Sequence, residues 1–218
     1  MDPCASLAVP SCRSRERGTR LPYFGGGSNL SDAHRAWIVE RDGVRIAFLG
    51  YVEFKPRSFE ASATRPGVAW SGEDEQVLRD IRHALDVEQV DIVIPFMHWG
   101  WEDEGTPSER QRVFARRMID AGAAMVVGGH PHVTQGAEIY KGRPIVYSLG
   151  NFLFNGFDTP ETLTGWVLEA SLTRQGVASW RTRVVRLGEH GVPKIDTAVS
   201  SPCGDARSDA VRQCPGTK

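Results

Sequence analysis

Residues 91–133 read DIVIPFMHWGWEDEGTPSERQRVFARRMIDAGAAMVVGGHPHV and decide the fold. The run opens with an apolar stretch of strand length, continues through a helix-like stretch, and returns to an apolar stretch at residues 124–128. Near-continuous apolar strands are typical of a sheet that is covered on both faces. The alternation therefore predicts an α/β fold, in which sites form beyond the carboxyl ends of the strands.

The helix between these two strands carries start and stop signals. Residues 106–109 (TPSE) combine a capping residue, a first-turn proline and a glutamate three places on, so we predict Thr106 as the cap. Phe114 and Met118 are predicted to point inward, and Gly122 to end the helix.

The flanking sequence extends the pattern in both directions. Apolar residues at three- and four-residue spacing predict an amphipathic helix over residues 73–88. A long loop is expected at residues 52–71. The other predicted elements are a hairpin of residues 37–39 and 44–51, a strand at 144–149, and a closing hairpin of 166–172 and 177–187.

Composition excludes several classes of protein. The 218 residues are 40% hydrophobic and 24% charged, which argues against fibrous and wholly disordered chains. The net charge of −1 offers no basic field for nucleic acid. No apolar run approaches the roughly 20 residues of a membrane span, and we predict neither a transmembrane helix nor a signal peptide.

We predict one folded domain over residues 21–190, with a disordered tail at 1–20 and a mobile tail at 191–218. All the cysteines lie near the two ends of the chain. They are interpreted as incidental thiols, with one long-range disulfide as the alternative. These cysteines are Cys4, Cys12, Cys203 and Cys214.

Three histidines follow the ends of predicted strands. His98 comes after the strand at 91–97, and His130 and His132 come after the strand at 124–128. Neighbouring strands would bring them into one pocket, where neutral imidazoles suit Zn, Mn or Fe. The alternative is that each is a hydrogen-bonded loop residue. Glu102 is the acidic residue expected to line the same pocket, whereas surface positions are expected for His34, His83 and His190.

Four motifs in order resemble the bacterial capsule-synthesis CapA (poly-γ-glutamate capsule biosynthesis) family. They cover about residues 23–155 and read HWGWE at 98–102, IDAGA at 119–123, GGHPHV at 128–133 and YSLGNF at 147–152. The family resembles the calcineurin-like metallophosphoesterases, so the resemblance implies part of an α-β-β-α sandwich.

The resemblance also implies a site and a function. His98 and His130 would bind one divalent ion and His132 a second, and the pair would activate a bridging water for attack on a phosphoester. Trp99, Glu102 and Asn151 are expected to contact substrate, with Trp99 and Trp101 as exposed aromatics beside the pocket. The implied role is capsule biosynthesis, with an anionic polymer or phosphoester as substrate and the capsule-synthesis machinery as partner. Intact relatives are often anchored at the cell surface.

Two family motifs are missing from residues 1–20: a Gly-Asp motif, whose Asp bridges the metals, and an Asn-His motif. We therefore expect the carboxyl-terminal portion of a longer protein or a truncated gene product. Three imidazoles without a bridging carboxylate would hold two cations poorly. Two alternatives follow: a non-catalytic module that binds a polymer or partner, and a single-metal hydrolase with His98, His130 and His132 as ligands.

Overall fold

The computed structural model describes residues 22–53, 57–206 and 208–216. Its helices are α1 (Leu30–Ala33), α2 (Asp74–Asp86) and α3 (Glu109–Asp120). Its strands are β1 (Gly26–Gly27), β2 (Trp37–Arg41), β3 (Val44–Val52), β4 (Gly67–Val68), β5 (Ile92–His98), β6 (Val126–Gly129), β7 (Ala137–Tyr140), β8 (Arg143–Val146), β9 (Thr164–Thr173), β10 (Gly176–Leu187), β11 (Pro193–Ile195), β12 (Ser201–Asp205) and β13 (Arg212–Cys214).

The main sheet has six strands in the order β2-β3-β5-β6-β8-β7. Strands β3, β5, β6 and β8 run parallel, and the edge strands β2 and β7 are antiparallel to their neighbours. This confirms the α/β prediction and the first hairpin. Pro95 lies inside β5 opposite Leu49, but the pairing of β5 with β6 begins only at Phe96, so the proline lies just outside that ladder.

Helices α2 and α3 pack on one face of this sheet. The predicted apolar face of α2 is buried, as shown by Val77, Leu78 and Ile81. The predicted cap of α3 is wrong by two residues. Ser108, rather than Thr106, caps the helix, because the Ser108 hydroxyl accepts from the backbone N–H of Gln111 while the Gln111 side chain accepts from the backbone N–H of Ser108.

A second, antiparallel sheet covers the other face. It is built on the long β9–β10 hairpin, which confirms the predicted closing hairpin, with β11, β12 and β13 added along β10 and β12. Trp180 of β10 is buried in one cluster with Ile92, Ile94 and Val127 of the main sheet. The layers are therefore helices, sheet and sheet, three of the four layers expected of the sandwich.

The prediction of a mobile tail at residues 191–218 is wrong for most of that range, which contains three strands. Strands β11, β12 and β13 belong to the second sheet, because the long β10 offers pairing positions to β11 and β12, and β12 then pairs with β13. Cys203 and Cys214 form a disulfide between β12 and β13 rather than remaining free thiols. The tail predicted at 1–20, with Cys4 and Cys12, lies outside the described residues.

One histidine interpreted as a surface residue is mostly buried. The His34 side chain is 8% exposed and its Nδ1 lies 2.7 Å from Asp80 Oδ2. Tyr51 and Gln76 donate hydrogen bonds to the same carboxylate. In the described part of the chain, no helix is long and apolar enough to cross a membrane.

Candidate metal centre

Two parallel strands end side by side at the candidate site. His98 closes β5 and lies in register with Gly129, which closes β6, so His130 follows directly beside it. The ring centroids of His98 and His130 are 4.4 Å apart, and those of His130 and His132 are 5.9 Å apart. The structure thus brings together the three histidines singled out from the sequence, as the topology of parallel strands predicts.

The backbone of this loop is strained. His130 has φ 103° and His132 has φ 62°, in the left-handed region that residues with side chains rarely adopt. Each such residue costs roughly 1–3 kcal/mol and persists where the surroundings hold it. Strain at two histidines of one loop is typical of a functional site.

Gly128 allows the core to close beneath the loop. A Cβ atom there would lie 2.0 Å from the Tyr147 carbonyl oxygen and 2.4 Å from Trp99 Nε1. Trp99 is only 1% exposed, and its Nε1 donates a 2.9 Å hydrogen bond to that carbonyl. The prediction that Trp99 is an exposed substrate contact is therefore wrong, because its indole fills the core. Trp101 is 67% exposed, as predicted.

Asn151 lies behind His132. The Asn151 amide nitrogen donates to the carbonyls of His132 and Thr162, at 3.1 and 2.9 Å. Its Oδ1 lies 2.8 Å from His132 Nδ1, so the ring donates its Nδ1 proton and its Nε2 keeps a lone pair. Asn151 is 5% exposed. The expectation of a direct substrate contact is corrected, since its polar groups are all engaged with protein.

Glu102 supplies a carboxylate beside the histidines. Its loop is fastened by a 2.9 Å hydrogen bond from the Asp103 N–H to the Pro131 carbonyl. One ligand atom from each of Glu102, His130 and His132 lies within 4.8 Å of the others. One carboxylate and two imidazoles are a donor set that suits divalent Zn, Mn or Fe. The residues present therefore fit a metal ion, and Glu102 is placed among its candidate ligands rather than only along the pocket wall.

A buried pair of glutamines supports the Glu102 loop and was missed by the sequence analysis. Gln111 Nε2 donates to Gln135 Oε1 at 2.8 Å, and Gln135 Nε2 donates to the Glu104 carbonyl at 2.8 Å. The two side chains are 1% and 4% exposed. The sequence contains no signal for this pair, because residues 24 positions apart meet only after folding.

The surroundings favour the neutral imidazole at His98 and at His130. Burial lowers the pKa of His98 to about 4, and the neighbouring His130 and His132 add to the shift while Glu102 opposes it. Burial, and then His132, also lower the pKa of His130. Neutral imidazole is the form that binds a metal ion.

Two aromatic side chains lie beside the His132 ring. The rings of Phe154 and Phe157 have centroids 5.2 and 4.8 Å from that of His132. Phe152, Leu153 and Phe154 are consecutive and are 54%, 68% and 44% exposed. This segment was not predicted to belong to the site, although its three consecutive apolar residues directly after Asn151 are a signal in the sequence.

Comparisons with known proteins agree with the four motifs. The family model "Bacterial capsule synthesis protein PGA_cap" matches residues 12–156. The PGA biosynthesis protein CapA of Bacillus subtilis is 41% identical over 136 residues, which cover 62% of this chain and 35% of that protein. The capsule biosynthesis protein CapA of Bacillus anthracis is 39% identical over 137 residues, covering 62% and 33%.

The chain spans about a third of the length of these curated relatives. Among solved structures, sulfate thiohydrolase SoxB from Thermus thermophilus superposes with a TM-score of 0.46 at 16% identity, covering 69% of this chain and 24% of that one.

Proposed function

The chain belongs to the bacterial capsule synthesis protein PGA_cap family, and we propose that it is a metal-dependent hydrolase of a phosphoester or related ester. Its place is in building or releasing a capsule-type polymer of the poly-γ-glutamate class, together with the capsule-synthesis machinery. The names of the relatives, both of which refer to capsule or PGA biosynthesis, support the polymer class. The observation that supports the proposed hydrolase activity is the grouping of Glu102, His130 and His132 at one sheet edge.

We assign the three grouped residues as ligands of a single divalent ion. The one-metal alternative raised from the sequence had His98, His130 and His132 as ligands, and in this assignment Glu102 takes the place of His98. One ion is favoured over two because, among the described residues, this group contains one carboxylate. Two histidines with one glutamate form the protein ligand set of several zinc hydrolases. A divalent ion held there would supply Lewis acidity and lower the pKa of water.

The protein's own residues prepare the site for this chemistry. Asn151 holds the His132 ring with its Nε2 lone pair free to bind a cation. The buried Gln111–Gln135 pair fixes the loop that carries Glu102. His98 lies beside His130 as a third imidazole of the same centre. In the hydrolysis, a water oxygen bonds to phosphorus, the bond from phosphorus to the alcohol oxygen breaks, and the alcohol leaves with a proton.

Hydrolysis of a generic phosphodiester tests this proposal. Purified protein is assayed with bis(p-nitrophenyl) phosphate in the presence of Mn²⁺, Fe²⁺ or Zn²⁺, beside His130→Ala and the exposed control His190→Ala. We expect metal-stimulated release of nitrophenol that falls at least 100-fold in His130→Ala and is unchanged in His190→Ala. Absence of metal-stimulated hydrolysis in folded, metal-loaded protein would contradict the proposed enzymatic activity. It would favour a non-catalytic module that binds a polymer or partner.

A further inference from the structure

An apolar groove leads away from the candidate metal centre. It lies between the two sheets, has a volume of about 700 Å³ and reaches His98 and Gly129 at one end. That volume is within the roughly 300–1,000 Å³ of typical small-molecule sites. The proposed hydrolysis takes place beyond the His98 end of the groove and uses none of its other lining residues.

The walls of the groove carry almost no charge. Phe96, Val127, Leu149, Trp166 and Leu168 line it, and none of its described lining residues is Asp, Glu, Lys or Arg. Two titratable side chains line it, His98 and Tyr51, and the Tyr51 hydroxyl donates to Asp80. A polyanion would lose hydration there without gaining a charged partner. The groove therefore suits an apolar chain and not the anionic polymer.

The groove reaches the residue that precedes a proposed metal ligand, because Gly129 lines the groove and His130 follows it. Gly129 follows Val127 by two residues in β6, so both positions face the same side of the sheet. A Cβ atom at Gly129 would have no neighbouring protein atom within 4 Å. A larger side chain at this position would thus extend into open space at this end of the groove.

The rim of the groove is apolar as well. Phe152 lines the groove and is 54% exposed, and the equally apolar Leu153 and Phe154 follow it. The Phe154 ring also contacts His132. Contiguous exposed apolar residues on a protein surface commonly mark a binding site for an apolar partner. Here they extend from the groove to a candidate metal ligand.

We propose that this groove binds the hydrocarbon chain of an amphiphilic substrate, a phosphoester of a long-chain alcohol. The phosphate group lies at Glu102, His130 and His132, and the chain runs past Gly129 between the sheets. The assignment of the head group depends on the proposed hydrolase, whereas the assignment of the chain depends on the groove alone.

Binding of a homologous series of alkyl phosphates tests the proposal. Butyl, hexyl and octyl phosphate are titrated calorimetrically into the protein below their micelle concentrations. Burial of a methylene group should lower Kd by roughly two- to fourfold, so octyl phosphate should bind at least about 15-fold more tightly than butyl phosphate. Equal affinity across the series would overturn the proposal.

Two pairs of variants locate the bound chain. Gly129→Leu should abolish the chain-length dependence, whereas Gly188→Leu should preserve it, because a Cβ atom at Gly188 meets only the Val192 carbonyl at 3.7 Å, outside the groove. Phe152→Ser should weaken octyl phosphate binding several-fold. Phe59→Ser is its matched control, since Phe59 is 52% exposed and does not line the groove. Metal content is measured in Gly129→Leu, because this residue precedes a proposed ligand.

The outcomes separate this inference from the proposed function. Chain-length-dependent binding without hydrolysis of any ester would retain the groove and contradict the hydrolase. Hydrolysis with the same KM for butyl and octyl esters would retain the hydrolase and overturn the groove. If octyl phosphate does not bind and the protein elutes as a dimer that Phe152→Ser converts to a monomer, a second copy of the chain covers the groove, and the proposal is wrong.

Discussion

Asn151 determines which nitrogen of His132 is available. The Asn151 amide nitrogen donates to two backbone carbonyls, so its oxygen must face the His132 ring and accept the Nδ1 proton. The other ring nitrogen then keeps its lone pair. Replacing a residue that hydrogen-bonds to a metal ligand commonly lowers the metal affinity by about 10- to 100-fold.

Replacing Asn151 should therefore weaken metal binding as well as the fold. We expect Asn151→Ala to raise the Kd for Zn²⁺ or Mn²⁺ by about 10- to 100-fold and to lower the free energy of unfolding by about 1–3 kcal/mol. Competition with a chromophoric chelator measures the first quantity and urea denaturation the second. Asn29→Ala, which removes the amide that caps α1, is the control. An unchanged Kd in folded Asn151→Ala protein would contradict this role.

The lowered pKa of His98 predicts a pH dependence of stability. The pKa of His98 is about 4 in the folded protein, against about 6.5 in an unfolded chain. Between these values the unfolded chain binds a proton that the folded chain does not. The free energy of unfolding should therefore be highest above pH 6.5 and fall as the pH is lowered towards 4.

Urea denaturation of metal-free protein at pH 7 and pH 5 measures this effect. We expect a loss of the order of 1 kcal/mol that is attributable to His98, because the side chain is partly exposed and solvent screens it. His98→Asn should reduce the difference between the two pH values. The same difference in the variant and the wild type would show that His98 does not contribute.

At the scale of elements, α3 depends on a reciprocal cap. The Ser108 side chain and the Gln111 side chain each satisfy a backbone N–H of the other residue. Gln111 also donates to Gln135, so the cap joins the helix to the loop that supports Glu102. Misassignment of the cap to Thr106 arose because both residues fit the sequence pattern, and the pattern alone does not show which one lies at the first turn.

The two candidate caps can be compared directly. Ser108→Ala should lower the free energy of unfolding by about 1 kcal/mol, because a first-turn N–H loses its acceptor. Thr106→Ala should change it by less than about 0.5 kcal/mol, as is usual at an exposed position. Urea denaturation of both variants tests the assignment. The reverse order of effects would restore Thr106 as the cap.

The disulfide makes β12 and β13 one covalently joined unit. Cys203 and Cys214 are 11 residues apart, so reduction should lower the free energy of unfolding by roughly 2–3 kcal/mol. Chemical denaturation with and without reductant measures the loss. A Cys4→Ser/Cys12→Ser protein, which keeps only Cys203 and Cys214, should keep this sensitivity. If that protein lost its sensitivity to reductant, the assignment of the bond would be wrong.

At the scale of the whole molecule, strong local patterns predicted most of the main sheet. Apolar runs located β5 and β6, helical spacing located α2, and the turn pair at Asp42 located the first hairpin. The convergence of the three histidines followed from the rule that parallel strands end at one sheet edge. These features could be predicted because each depends on residues close in sequence or on topology alone.

Other features depend on contacts between distant segments. Strands β11 to β13 are three to five residues long and weakly apolar, and they form because β10 is long enough to pair with additional strands. Trp99 follows a strand, as site residues commonly do. Its indole nevertheless packs in the core, because Gly128 has no side chain that would occupy the same space. Asn151 and Glu102 lie beside the histidines because their loops contact the histidine loop in the folded protein.

The central claim is that Glu102, His130 and His132 bind one divalent ion. Elemental analysis of purified protein after incubation with Mn²⁺, Fe²⁺ or Zn²⁺ and removal of excess metal tests it most directly. We predict one ion per chain in the wild type and in His83→Ala, whose side chain is 59% exposed, and none in Glu102→Ala or His132→Ala. A folded wild-type protein without metal, or full occupancy in Glu102→Ala, would contradict the account.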